Sequence, residues 1–174
     1  MRWCLVVGYG VGFGLVMSVL FTIAIFAGAF ASRDFLLNDY PPAIQERYAK
    51  PKSARGRRVA VWVGVLFWGV CCVPLTVAAM MRLRADLGTD LGFGPAAVAG
   101  ALMFLTLSLY DLVVLDWIVF AGLRPRLLVL PGTEDMREYR DLRFHAVAAL
   151  KGSPLIPVVG LLTGGIVAGL EAIA

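Results

Sequence analysis

The sequence predicts an all-α fold, a polytopic membrane protein built as a four-transmembrane-helix bundle with both termini outside. Three observations predict it. Of 174 residues, 60% are apolar and only 16% charged, against roughly a half and a quarter in soluble domains. Four runs carry no charge at all: Trp3 to Ser32, Val59 to Met81, Leu91 to Tyr110 and Gly152 to Leu170. About 20 apolar residues cross a bilayer as a helix, so each run qualifies. The third observation is where the basic residues fall. Thirteen of the 16 lie in two segments, Arg33 to Arg58 and Arg124 to Lys151, leaving Arg2, Arg82 and Arg84 for the other side. That bias makes both long loops cytoplasmic.

These features exclude disordered, fibrous and disulfide-framework classes. The whole chain, 1–174, reads as one transmembrane domain with helices at about 3–31, 59–81, 93–123 and 144–173 and cytoplasmic loops 32–58 and 124–143. Met1-Arg2 before an apolar stretch resembles a signal peptide, but the stretch is about twice the usual length, which argues for a retained helix. The net charge of +4 reflects topology and contact with membrane lipids. Nucleic acid is not implied, because Lys50 to Arg58 lacks interleaved aromatics.

In helix one, Gly8/Gly12 and Gly10/Gly14 are spaced for close helix packing; helix four repeats the device at Gly160/Gly164 and Gly165/Gly169. Such faces serve the bundle or a homo-oligomer. The first loop turns at Asn38 to Pro42, and Pro42 opens a short helix through Glu46 to about Lys50. Helix two should kink at Pro74. Helix three begins near Pro95 and runs to about Leu123. The second long loop turns at Pro131 to Glu134, and Asp135 to Arg143 looks helical. Cys4, Cys71 and Cys72 read as packing residues, and no spacing suggests zinc, haem or another cofactor.

Asp111 and Asp116 are the informative residues. At about 1.5 Å per residue from Arg124, Asp116 lies roughly 12 Å and Asp111 roughly 20 Å up the helix. A carboxylate at such depth costs roughly 2.5–3.5 kcal/mol, so it faces the bundle interior and is a functional candidate by default. Burial there favours the uncharged acid over the carboxylate. On an α-helix, five positions separate the two side chains by about 140°, so they would not sit side by side. The alternative role is pairing with Arg124, Arg143 or Lys151.

Tyr110 and Trp117 share a helix face and could stabilise a cation. Such rings are also ordinary lipid-facing and packing residues of a membrane helix. His145, the single histidine, stands at the loop boundary of helix four, where it could relay a proton or be a plain interfacial residue. Asp39, Tyr40, Glu46 and Glu134 could lie over the cytoplasmic mouth, although loop carboxylates commonly cap helices. One histidine with scattered carboxylates is a poor metal set.

Asn38-Asp39-Tyr40-Pro41, Leu109 to Trp117, Leu130 to Glu134 and Phe144-His145 together resemble a group of small bacterial four-helix integral membrane proteins. In size and layout the chain is also similar to bacterial membrane-bound terpene cyclases. That second resemblance implies proton-initiated closure of an isoprenoid chain by a carboxylic acid, on a lipophilic prenylated small molecule. An intramembrane acid ringed by aromatics suits such chemistry, since the acid must stay undissociated and the cation must be kept from water.

The leading expectation is therefore an intramembrane cyclase with Asp111 as acid, Asp116 as second carboxyl, and Tyr110 and Trp117 as cation stabilisers. Asp111 should line an enclosed, mostly apolar cavity, faced by a ring from helix one or two. The alternatives are a small oligomeric proton-coupled transporter or channel and a non-catalytic membrane scaffold.

Overall fold

A computed structural model of the chain describes residues 2–173, which are mostly helical and contain no strand. Four helical stretches are long and apolar enough to cross a membrane: Trp3–Ala31, Ala54–Leu87, Phe93–Leu123 and Leu142–Ala172. In chain order the α-helices are α1 (Trp3–Ala31), α2 (Pro42–Tyr48), α3 (Ala54–Gly64), α4 (Val73–Leu87), α5 (Phe93–Tyr110), α6 (Leu142–Gly152) and α7 (Leu155–Ala172). The spans are apolar on all sides, as expected of helices that meet lipid outside and one another inside. On α1, Val7, Val11, Leu15 and Val19 point outward while Val6, Gly10, Gly14 and Met17 are buried.

Two spans change their winding. A π segment, Val65–Cys72, joins α3 to α4, and a second, Asp111–Leu123, continues α5. Proline lacks an N–H and its ring crowds the carbonyl four residues back. The wide turns of the first π segment end just before Pro74, which then stands in the first turn of α4. The second span also starts earlier and ends later than its charge-free run. Arg55, Arg57 and Arg58 at one end and Arg82 and Arg84 at the other are helical. Gly88, at φ 68°, closes α4 with a left-handed cap.

Helix α5 is central, with α1 along one side and α7 along the other; the second span packs chiefly on α1. The spans thus stand in the order two, one, three, four. Small residues set the two seams of α5. A Cβ on Gly10 would come within 2.7 Å of Leu102 Cβ, and one on Gly14 within 2.8 Å of the Met103 carbonyl. Gly160 and Gly164 meet the Ala97 and Phe93 carbonyls at 2.7 Å in the same sense. Gly8, Gly12, Gly165 and Gly169 have nothing within 4 Å, so only one glycine pair of each helix is used inside the bundle.

Both long connections lie at one end and pack on each other. Leu37, Tyr40, Ile44, Leu130 and Tyr139 form a buried cluster, and the Tyr40 hydroxyl donates to the Leu128 carbonyl at 2.8 Å. The segment before α6 is not the helix expected over Asp135 to Arg143. It is a single 3₁₀ turn, Arg137–Arg140, followed by Asp141, whose carboxylate caps α6 by accepting from the Phe144 N–H at 3.0 Å. The fourth span breaks at Ser153-Pro154, between α6 and α7.

Candidate functional site

Asp111 is the first residue of the second π segment and Asp116 lies five residues on. The ladder closes with the Arg124 N–H bonded to the Val119 carbonyl at 2.9 Å, an i→i+5 bond. In such a ladder residue i+5 comes one turn after residue i, on the same side. The wider winding narrows the 140° separation expected of an α-helix and turns the two acids towards the same side, within range to interact through their charges. π segments are rare and recur at functional sites.

The face they share is covered by α6. His145 on α6 is buried, 6% exposed, and its Nδ1 lies 3.1 Å from Asp116 Oδ1. Its other ring nitrogen, Nε2, is buried without a hydrogen-bond partner among the described residues. Phe120 and Phe144 present ring centroids 5.3 Å from the imidazole, both near edge-to-face. Behind Phe120 stand Tyr40 at 5.1 Å and Tyr139 at 5.6 Å. No Arg124, Arg143 or Lys151 side chain forms an ion pair with either aspartate among the described residues. The partner of Asp116 is the histidine.

Asp39 closes a 3₁₀ turn, Leu37–Asp39, above this face. Desolvation by the surrounding loops raises its pKa, with the Asp116 carboxylate adding and Lys52 opposing. Asp39, Asp111, Asp116 and His145 are near enough to interact through their charges. Burial raises the pKa of Tyr40 strongly, which keeps its hydroxyl a neutral donor to Leu128. Tyr139 accepts the Leu130 N–H at 3.0 Å and lies 2.6 Å from the Thr133 hydroxyl. These tyrosines hold the loop cap on the bundle.

The other expected site residues are placed elsewhere. Tyr110 meets the Thr22 hydroxyl of α1 at 3.1 Å, a link between spans. Trp117 is exposed on the outside of the bundle. Glu46 is exposed on α2. Glu134 folds back to accept the Gly132 N–H at 2.9 Å, and hydrogen bonds from its own and the Gly132 N–H hold its carboxyl below the usual range. Phe120 and Phe144 flank His145, and Tyr139 backs Phe120. Phe120 carried a usable signal, four residues after Asp116; Tyr139 carried none. No group of three or more His, Cys, Asp or Glu side chains converges as a metal set among the described residues.

A groove of about 580 Å³ opens between the second and fourth spans, with α5 as its floor. Its walls include Met17, Cys72, Met80, Met81 and Met103, soft side chains that adapt to varied apolar shapes. At one end Arg84 bonds Asp90 at 2.5 Å, and Glu171 accepts the Leu91 and Gly92 N–H groups at 2.8 and 2.9 Å. At the other end are Trp68, Phe104 and Leu107. Asp111 is not in its wall, and the groove is open to the bundle surface, so the expected enclosed cavity around Asp111 is not this one. The floor row Gly100, Met103, Leu107 nevertheless continues in helical register to Asp111, one turn further on. The rings Trp68 and Phe104, 6.1 Å apart, stand at that inner end. Compared with family models, curated proteins and solved structures, the chain matches none.

Proposed function

We propose that the protein is an intramembrane isomerase that closes a prenylated, lipophilic substrate into a ring by protonating one of its double bonds, in the manner of a terpene cyclase. One observation carries this reading: buried His145 paired with half-buried Asp116, within charge-interaction range of Asp111, with a free nitrogen at His145 Nε2. Asp111 in its acid form gives a proton to a terminal double bond, whose π electrons make the new C–H bond. A second double bond attacks the resulting cation and forms the ring bond. Loss of a proton from the neighbouring carbon restores a double bond, and the Nε2 lone pair receives it. Asp116 accepts the Nδ1 proton and fixes the tautomer that leaves Nε2 basic. One proton enters and one leaves, so the product is an isomer, and no diphosphate departs.

The groove supports this reading by offering a long apolar seat that leads towards Asp111. In this reading the basic loops are cytoplasmic, both termini are outside and the bundle sits in the plasma membrane. Membranes carrying the protein, given a farnesylated aromatic substrate, should yield a cyclised product of unchanged mass. Asp111→Asn and Asp116→Asn should each lower turnover by about 100-fold or more. Full turnover by both variants would sink the assignment.

A second reading, an oligomeric proton-coupled transporter with the same acids as carriers, is favoured by the outward-facing glycines. Gly8, Gly12, Gly165 and Gly169 leave two flat faces through which copies could pack. Proton flux in liposomes without product formation would select it.

A further inference from the structure

A second groove, of about 480 Å³, lies between α1 and α3 on the loop side of the bundle. One wall is a single face of the second span: Arg55, Arg58, Val59, Trp62, Val63 and Leu66, spaced at three and four residues. The opposite wall is Ala27, Gly28 and Ala31 of α1, whose small side chains leave the space open. The charges occupy one end only. From Arg55 to Leu66 the stripe runs eleven residues, about 16 Å, and beyond Arg58 it is purely apolar. That distance is about half of a hydrocarbon core roughly 30 Å thick, the depth of one leaflet.

Neither guanidinium is neutralised. Among the described residues the ion pairs involve Arg84 and His145, and none involves Arg55 or Arg58. The loop carboxylate Asp34 is engaged elsewhere. It is buried against Gly56 and accepts from the Ser53 N–H at 2.6 Å and the Ser32 hydroxyl at 2.5 Å. Arg58 Nε makes one long contact to the Ala54 carbonyl, at 3.5 Å, which leaves its terminal nitrogens and the Arg55 fork for an anion. The groove therefore joins two guanidinium groups without carboxylate partners to an apolar channel about one leaflet long. Arginine forks match phosphate oxygens in pairs, and each basic residue at an anionic surface adds about 1 kcal/mol.

We propose that this groove binds one anionic glycerophospholipid of the loop-side leaflet, its phosphate between Arg55 and Arg58 and one acyl chain along Ala27, Ala31, Val59, Trp62 and Leu66. The ligand is recognised by head and tail together, which separates it from general attraction of basic loops to a charged surface.

The test uses the full chain purified in detergent, exchanged with phosphatidylglycerol or phosphatidylcholine, and weighed by native mass spectrometry. Wild type should retain phosphatidylglycerol by about tenfold or more over phosphatidylcholine. The pair Arg55→Gln and Arg58→Gln should lose that preference, while Arg47→Gln with Arg57→Gln, equal in charge removed, should keep it. Ala27→Leu, which fills the groove without touching charge, should lower phosphatidylglycerol retention severalfold. Equal retention of the two lipids by wild type overturns the proposal. So does equal loss in the two arginine pairs, or unchanged retention in Ala27→Leu.

Discussion

His145 and Asp116 come from different spans, yet their side chains meet at 3.1 Å because the chain between Asp111 and Leu123 is wound one residue per turn wider than an α-helix. The wider winding and the α6 cap act together. Without the first, Asp116 turns away from Asp111; without the second, it has no partner among the described residues.

Removing the imidazole should therefore expose the cost of that carboxylate. His145→Phe leaves Asp116 without its partner, and the loss should be about 1–3 kcal/mol. Asp116→Asn should cost less, because a neutral amide can still meet Nδ1. In the double variant the losses should be smaller than their sum. Thermal unfolding in detergent across the four proteins measures the coupling. Strict additivity would mean that the pair is not an energetic unit.

The glycine seams give opposite expectations for residues of the same type. Gly160→Ala places a methyl group 2.7 Å from the Ala97 carbonyl, and backbone cannot yield cheaply, so a loss of about 1–3 kcal/mol is expected. Gly8→Ala and Gly165→Ala meet nothing within 4 Å and should be neutral or slightly stabilising. Unfolding by denaturing detergent, read by circular dichroism, ranks them.

Two loop carboxyls should shape the pH dependence of stability with opposite signs. Burial alone would raise the Asp34 pKa, but hydrogen bonds from Ser32 and Ser53 outweigh it and hold it below the ordinary 3.8. Its contribution is complete above that value and is lost as pH falls through the lower folded-state one. Asp39 is raised, so its contribution is present in acid and is lost as pH rises through the folded-state value. Asp34→Asn should flatten the acid limb of a melting-temperature profile, and Asp39→Asn should raise the melting temperature at neutral pH.

Blocking the larger groove should act on substrate length. Val77 and Ile166 lie on its facing walls. Val77→Trp with Ile166→Trp should lower turnover of a long prenyl substrate by about tenfold, equivalent to about 1.4 kcal/mol, and affect a short one less. Equal effects on both lengths would remove the groove from the reaction.

The spans were legible in the sequence because crossing hydrocarbon demands unbroken apolar runs, and Trp3–Ser32 or Leu91–Tyr110 can hardly be anything else. Asp111 and Asp116 stood out for the same reason, as charges where charge is expensive. Their relative direction was not legible. It depends on winding, and Leu112 to Trp117 reads as ordinary apolar helix with no proline or glycine to announce a π segment. His145 looked interfacial because it stands with Phe144 where the loop meets helix four; the Phe120 ring that packs on it is backed by Tyr40, a contact between segments 80 residues apart in sequence. The glycine pairs were visible as pairs. Which pair faced inward was decided by the partner, since only Gly10, Gly14, Gly160 and Gly164 meet α5.

The order of spans two, one, three, four has a consequence for assembly. Each half of the chain is a helical hairpin, and the hairpins are joined mainly along the line where α1 meets α5. That line is made of close backbone approaches at Gly10 and Gly14, which need no covalent connection between the halves. The link itself, Gly88 to Gly92, is short; Gly88, Thr89 and Asp90 are exposed, while Leu91 is buried against the bundle. The fold thus divides into two hairpins that meet along one packing seam. Cut at Thr89 and co-expressed, the halves should find each other in the bilayer and restore the Asp116–His145 contact, although both of those residues come from the second half, because the Tyr40–Leu128 bond that braces their cap from the first half would be rebuilt as well.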